Sequence, residues 1–435
     1  MSSTVSPKVR LTSLDQFRGY TMFGMLLVNF LGGYAVCPRI LKHTHDYCSY
    51  ADTIMPQFLF AAGFAMRLSL GKRLEAGGKM PWGRAIRRIL GLALVAIVWY
   101  SFGDWKGIVE DFNKRPFGDV LYQLFKRRYF QTLMHIAVTS LWILPVVTST
   151  WKIRIGYTVF SVVLHFLLSW WFNFVWVNSD PNGIDGGPLG FLTWAIPAIC
   201  GTLACDAVRA SGPAAATRIA LSGVGVMLLG WIISNGTVLY NEPANPTSEQ
   251  ALNASSPGAP AGMTASAENP ASPASKPRNM KLALDPVIPT LERIKSWDGT
   301  LVEPPFVPPP IADKSQEPKG QEGTTLKFRK WNYWMMSQRS GNPSYPMFSA
   351  GVSLVIYALF LWACDSRGWN LGFFRTLGTN SLAAYILHDV AGWTVSPYFP
   401  KSSSAAMAIL GFACFTLFVY FWCRLLERMG WYIRV

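Results

Sequence analysis

Charge is what this sequence has least of. Only 14% of its 435 residues are Asp, Glu, Lys or Arg, while 51% are hydrophobic and 14% aromatic. A soluble domain carries about 25% charged residues, so an ordinary soluble enzyme is disfavoured from the outset. Acidic residues are the scarcer sign: 24 Asp and Glu stand against 39 Lys and Arg, giving a formal net charge of +15. In a soluble chain that excess would point to nucleic acid, but no RRM, zinc-finger or helix-turn-helix pattern is present, and nucleic acid is not an expected partner. The basic residues flank apolar stretches instead, which is where a membrane surface and its lipid would hold them. A cleavable leader is also not expected. The first ten residues are polar, and the apolar run from Gly19 to Val36 continues without a small-residue cleavage site.

What the chain does have is long apolar runs. A bilayer crossing needs about 20 mostly apolar residues, and such segments fall at 17–36, 53–71, 88–104, 129–148, 154–176, 189–207, 217–235, 346–364, 376–397 and 404–424. The predicted fold class is therefore all-α, a polytopic transmembrane helix bundle of about ten spans. Small residues around Ala61 to Ala65 suit close helix approach, and Trp170, Trp171, Phe172, Phe174 and Trp176 form an interfacial belt. Basic residues such as Lys8, Arg10, Arg18, Arg67, Lys72, Arg73, Arg84, Arg87 and Arg88 favour both ends inside, N-in/C-in, although the basic loop 105–128 opposes that orientation.

Three regions follow. Residues 1–240 hold helices one to seven, with a polar loop at 36–52 as the active-site candidate. Residues 241–335 are rich in Pro, Ala and Ser, include Pro-Pro-Phe-Val-Pro-Pro-Pro at 304–310, and read as a largely disordered extramembrane insertion. Residues 336–435 supply helices eight to ten.

Polar groups in so apolar a chain are informative, since an ionisable side chain within a span costs roughly 2.5–3.5 kcal/mol on insertion scales. The chain has 5 histidines. His43 and His45 share the loop after the first span, Asn29 lies near the outer end of that span, and Asp52 opens the second. These four can meet at one membrane face, and His388 with Asp389 can join them from the ninth span. A solvated loop histidine is the commoner case, and an Asn at a span end often only bonds a neighbouring helix. His-Thr-His offers two ligands without a third, so no metal is expected. His165 is assigned no role. Near the other end of the first span, Asp15 and Arg18 share a helix face. They form either a structural ion pair or part of a site for an anionic cytosolic ligand such as coenzyme phosphates.

Several segments together resemble the heparan-α-glucosaminide N-acetyltransferase family of membrane acetyltransferases. They are Ser-Leu-Asp-Gln-Phe-Arg-Gly at 13–19, Met-Leu-Leu-Val-Asn-Phe-Leu-Gly-Gly at 25–33, Lys-His at 42–43 and Ala-Asp-Thr-Ile-Met-Pro-Gln-Phe-Leu-Phe-Ala-Ala-Gly-Phe at 51–64. Looser echoes are Leu-Met-His-Ile-Ala at 133–137, Gly-Ile-Asp-Gly-Gly-Pro at 183–188 and Gly-Thr-Asn-Ser-Leu-Ala-Ala-Tyr-Ile-Leu-His-Asp at 378–389. The resemblance implies a divergent bacterial-type member, a multi-pass protein of the bacterial inner membrane. It implies acyltransferase activity: an acetyl group passes from cytosolic acetyl-CoA, the co-substrate, to an amino sugar or other glycan acceptor on the far side. The family's catalytic histidine and asparagine map onto His43 and Asn29. His45 competes for the histidine role, because the family's His-Ala-x-Trp segment here reads His-Thr-His-Asp-Tyr-Cys. The remaining expected site residues are Asp52 beside the histidine, Arg18 and Asp15 at the cofactor, and Asp185 and His388 at the acceptor. A homodimer is compatible with all of this.

Two alternatives from other classes are a membrane transporter, disfavoured by the lack of an inverted repeat of broken helices, and a non-catalytic membrane scaffold. A last expectation is a disulfide between Cys37 and Cys48, which enclose His43 in a short loop on the exported side.

Overall fold

The computed structural model describes residues 11–43, 48–103, 105–178, 183–234, 240–241, 281–282, 333–334 and 336–432. His45 and most of the 241–335 insertion lie outside them. Among the described residues the chain is helical, apart from a two-residue antiparallel ladder that pairs Tyr240 with Leu282. The helices before the insertion are α1 (Thr12–Leu31), α2 (Ile54–Glu75), α3 (Trp82–Phe102), α4 (Trp105–Lys114), α5 (Phe117–Gln123), α6 (Thr132–Ile143), α7 (Trp151–Leu168), α8 (Phe174–Asn178), α9 (Phe191–Ser211) and α10 (Ala216–Ser234). Those after it are α11 (Ser344–Phe360), α12 (Gly372–Thr379), α13 (Ser381–Val395) and α14 (Ala405–Arg428).

Six stretches among the described residues are long and apolar enough to cross a bilayer: Ala51–Glu75, Trp82–Phe102, Trp151–Asn173, Gly187–Ser234, Ser344–Ser366 and Ala405–Arg428. The fourth holds two helices, α9 and α10. The ten segments expected from hydropathy are thus met only in part. The 129–148 segment contains a helix of 12 residues, α6. The 376–397 segment is broken at Asn380, which separates α12 from α13. The basic loop expected at 105–128 contains two short helices, α4 and α5, followed by a π turn at Leu124–Arg128.

Burial divides the helices into inner and outer members. The apolar windows of α2 and α11 are 61% buried, against 17% for α3 and α7. The outer helices turn large apolar side chains outward: Leu90, Leu94 and Val98 on α3, Val159, Val163 and Leu167 on α7, Ile409, Leu417 and Phe421 on α14. In water such a surface would be a liability, whereas hydrocarbon accepts it at no cost.

The inner helices touch backbone to backbone. A Cβ at Gly63 of α2 would lie 1.9 Å from the carbonyl oxygen of Ala198 on α9, and one at Gly201 of α9 would lie 2.0 Å from that of Phe60 on α2. The α1–α12 pair is equally close: a Cβ at Gly19 would meet the Phe374 carbonyl oxygen at 1.8 Å, and one at Gly378 would meet that of Asp15 at 2.0 Å. Small residues thus set the helix spacing, as expected where no hydrophobic drive separates helix from lipid. Polar ties reinforce the same end of the bundle. Ser13 Oγ donates to Asp365 Oδ2 at 2.6 Å. Arg154, buried on α7, donates to Thr202 Oγ1 at 2.7 Å and pairs with Asp206, which also takes Arg67 of α2 at 2.7 Å.

The expected disulfide is not present. Cys37 and Cys48 are both free thiols that pack into different cores. Cys37 lies with Met22, Tyr34 and Phe30 around α1, while Cys48 lies with Met55, Leu59 and Trp194, its Sγ 3.4 Å from Ser349 Oγ. Each sulfur is buried as a small hydrophobe in its own cluster, and that packing holds the two apart.

Candidate active site at the junction of the first two helices

The candidate site is built from the end of α1, the start of α2 and the loop between them. α1 is anchored at its first turns by its contact with α12, and its last turn carries Asn29. After the short turn Arg39–Leu41 the chain delivers His43 beside a second turn, Ala51–Thr53, that leads into α2. His43 Nδ1 lies 2.9 Å from Asp52 Oδ1. The other oxygen of Asp52 accepts from the Ser49 backbone N–H at 3.0 Å and from Ser49 Oγ at 2.8 Å. Ser49 Oγ is also 2.8 Å from the carbonyl oxygen of Lys42, so one hydroxyl ties both arms of the loop. Below them Tyr345 of α11 donates its hydroxyl proton to the backbone carbonyl of Asp52.

This arrangement sets the histidine's chemistry. Asp52 is fully buried and accepts the Nδ1 proton, so Nε2 is left as the basic nitrogen. Burial pulls the His43 pKa down, but the hydrogen bond and charge of Asp52, with the charge of Asp185 beyond it, outweigh burial, and the net shift is upward from 6.5.

Asn29 is held from the other side of the bundle. Its Nδ2 lies 3.3 Å from Nε2 of His388 on α13. His388 Nδ1 faces the backbone carbonyl of Tyr385 one turn back, so the ring in its neutral form donates there and accepts the Asn29 amide proton at Nε2. Asp389 stands 3.3 Å from the same nitrogen and accepts the Trp99 indole proton at 2.7 Å. Asn29 keeps one N–H and its Oδ1 uncommitted to His388. Under the acyl-transfer activity that the sequence resemblance implies, replacing Asn29 with Ala is expected to lower turnover by about 10²–10³-fold, the effect of removing one oxyanion donor. His388→Ala, which only loosens the amide, should lower it by less. Steady-state turnover of the two variants ranks them, and an unchanged rate in Asn29→Ala removes Asn29 from the site.

Two cavities meet at these residues. The inner one encloses about 460 Å³ of space up to its mouth and runs down between α1 and α2 past Met25, Ile54, Met55 and Phe58. Its polar lining is Asn29, His43, Asp52, Thr132, Asp185, Gln338 and Tyr385. The outer one is a wide vestibule of about 1700 Å³, lined by Lys42, His388, Asp389, Trp393 and Lys401 among others. Val28, Asn29 and His43 border both. These three side chains stand between the two cavities.

Asp185 reaches the inner cavity from the turn before α9. Its backbone adopts φ +54°, unusual for a residue other than glycine, and Gly186 and Gly187 follow at +82° and +58°. The turn is pressed against the chain that returns from the insertion: a Cβ at Gly186 would sit 3.2 Å from the Gly341 Cα. Thr193 Oγ1 donates to the Gly341 carbonyl at 2.6 Å, and Asn178 Nδ2 donates to Ser340 Oγ at 2.8 Å. In that frame Gln338 Nε2 donates to Asp185 Oδ1 at 2.9 Å, and the Trp194 indole donates to the Asp185 carbonyl at 2.7 Å.

The structure therefore gathers Asn29, His43, Asp52, Asp185 and His388. It does not bring Arg18 or Asp15 to them. Both sit in the first turns of α1, and the 11 residues from Arg18 to Asn29 span about 16 Å of helix. Arg18 donates to Ser381 Oγ at 2.6 Å, across to the start of α13. Sequence reasoning passed over Gln338, Tyr385, Trp393, Lys42 and Lys401. Gln338 and the two lysines carry no local pattern, while Tyr385 lay one turn from His388 and could have been noticed by that spacing. His135, in the segment Leu-Met-His-Ile-Ala, is fully buried between Phe130 and Trp194 and borders neither cavity. No protein-family model matches this chain, and no curated protein does.

Proposed function

We propose that this protein is a transmembrane acyltransferase that moves an acetyl group from cytosolic acetyl-CoA to an amino sugar or related glycan acceptor on the far side of the membrane. The observation that carries this reading is the partition: His43, held by Asp52, and the Asn29 amide border both cavities. A donor thioester in the inner cavity and an acceptor in the vestibule would meet at His43 Nε2. The acceptor's amine or hydroxyl must lose a proton as it attacks the carbonyl carbon, and an imidazole whose other nitrogen is held by a carboxylate is suited to take it. The amide of Asn29 is placed to hydrogen-bond the developing oxyanion or the acceptor. Aromatic and charged groups such as Trp393, Asp389 and Lys401 suit the faces and hydroxyls of a sugar.

The reading takes ten crossings with both chain ends cytosolic, so that Arg18 and Asp15 lie on the side from which the coenzyme comes. The test is thiol release from acetyl-CoA by the purified full chain, with glucosamine-class acceptors added. Acceptor-dependent release well above that of His43→Ala is the expected result. Release no greater than that variant's would end the reading and return the chain to the transporter or scaffold alternatives.

A further inference from the structure

Building on that reading, we infer that Asp185 is a second catalytic residue, the general acid that delivers a proton to the departing coenzyme thiol. In that reading the nucleophile and the leaving group occupy opposite sides of the partition, and a carboxyl group lies on the leaving group's side. His43 Nε2 borders both cavities, whereas Asp185 borders only the inner one. A thiolate expelled into a cavity buried within the bundle would be a poorly solvated charge, which makes a proton donor there worth more than it would be in water.

Asp185 is built for that state. Asp52 spends its oxygens on His43 and Ser49, whereas among the described residues the side-chain hydrogen bond to Asp185 comes from Gln338, a neutral amide that reaches one of its two oxygens. Burial, opposed by the Gln338 hydrogen bond and the charge of His43, pushes its pKa up to about 7, so a substantial fraction carries a proton at neutral pH. The titratable groups around it are His43 and Asp52 from the loop and the α2 turn, Tyr100 from α3, Tyr345 from α11 and Tyr385 from α13.

The step balances. The acceptor heteroatom bonds to the acetyl carbon and gives its proton to His43 Nε2. The carbon–sulfur bond breaks, sulfur keeps that electron pair, and sulfur takes the Asp185 proton. Asp185 is left as carboxylate and His43 as imidazolium, and a proton transfer between these two groups of one cavity restores both. The products are the acetylated acceptor and free coenzyme thiol.

Leaving-group dependence distinguishes this role from a merely structural one. Asp185→Asn should lower turnover with acetyl-CoA by about 10²-fold or more, in line with general acid catalysis. With acetyl thioesters of aryl thiols, whose thiolates leave without protonation, the loss should be under about tenfold. Equal losses with both donors would overturn the assignment and leave His43 to return the proton itself. The pH profile of the wild-type chain supplies a check independent of how the variant folds. With acetyl-CoA, turnover should fall as pH rises through roughly 7 as the acid is lost, and with the aryl thioesters that descending limb should vanish. A limb common to both donors would equally sink the proposal. Failure of the wild-type chain to transfer acetyl from any donor would instead refute the acyltransferase reading on which it rests.

Discussion

His43→Ala should abolish acyl transfer to within about 10³-fold of the uncatalysed rate while leaving the bundle intact. The expectation follows from where the ring sits. Its side chain is 44% exposed and, among the described residues, hydrogen-bonds to Asp52, so truncation removes little packing. Its Nε2 is the one basic nitrogen on the partition, and general base catalysis by a positioned group contributes about 10²–10⁴-fold. Asp52→Asn should fall in the same range, because an amide can hold the ring in the wrong tautomer and no longer stabilises imidazolium. The two variants separate in their pH dependence. The base must be neutral to act, and the His43 pKa lies above 6.5, so wild-type turnover should decline as pH falls through a value above 6.5. Without the Asp52 charge, burial prevails and the ascending limb should move to lower pH. Thiol release in detergent across pH 5 to 8, together with thermal unfolding of each variant, makes the comparison. A fully active His43→Ala that still folds would remove this residue and direct attention to His45, which shares its loop.

The largest expected effect on stability lies far from that chemistry, at Gly63. A valine there would thrust its Cβ to 1.9 Å from the Ala198 carbonyl oxygen, and that obstacle is backbone, unable to swing aside as a side chain would. α2 and α9 would have to separate along their length, and Gly201 faces Phe60 in the same tight manner one helical stretch away. Overpacking of a core usually costs about 1–3 kcal/mol and more when only backbone can yield. Gly63→Val should therefore lower the unfolding midpoint in detergent severely or prevent recovery of folded protein. Gly156→Ala on α7 and Gly225→Ala on α10 are the matched controls. A Cβ at either meets nothing within 4 Å, so the change should be neutral or stabilising by up to about 1 kcal/mol, as helix propensity dictates. Were Gly63→Val to melt with those controls, the close α2–α9 crossing would be wrong.

The membrane-spanning character of the chain was legible in its sequence because it follows from composition over windows of some 20 residues. α3, α7, α11 and α14 occupy the segments that hydropathy marked. The errors arose where a helix is short or interrupted. α6 is only 12 residues long, and Asn380 separates two helices within one apolar segment, so a window average cannot tell either from a full span. The cysteine pair misled for a related reason. Two thiols in one loop invite bridging on the basis of chain distance, but each loop end folds onto a different helix cluster, and only the packing reveals that.

The meeting of His43 with Asp52 was accessible from sequence, because they lie nine positions apart and the second span begins at the latter. Asn29 was accessible for the same reason, lying at the end of the span that leads into the loop. Local chain connectivity determined those three, together with the apolar helices that carry them. What only the tertiary structure decided is what surrounds them. His388, 359 positions from Asn29, comes within hydrogen-bonding distance of it, and Gln338 reaches back 153 positions to hold Asp185. No helical period or local spacing records contacts of that separation. They exist because helices whose small residues allow backbone contact can pack in few ways, and that packing turns a loop histidine into the partition between two cavities.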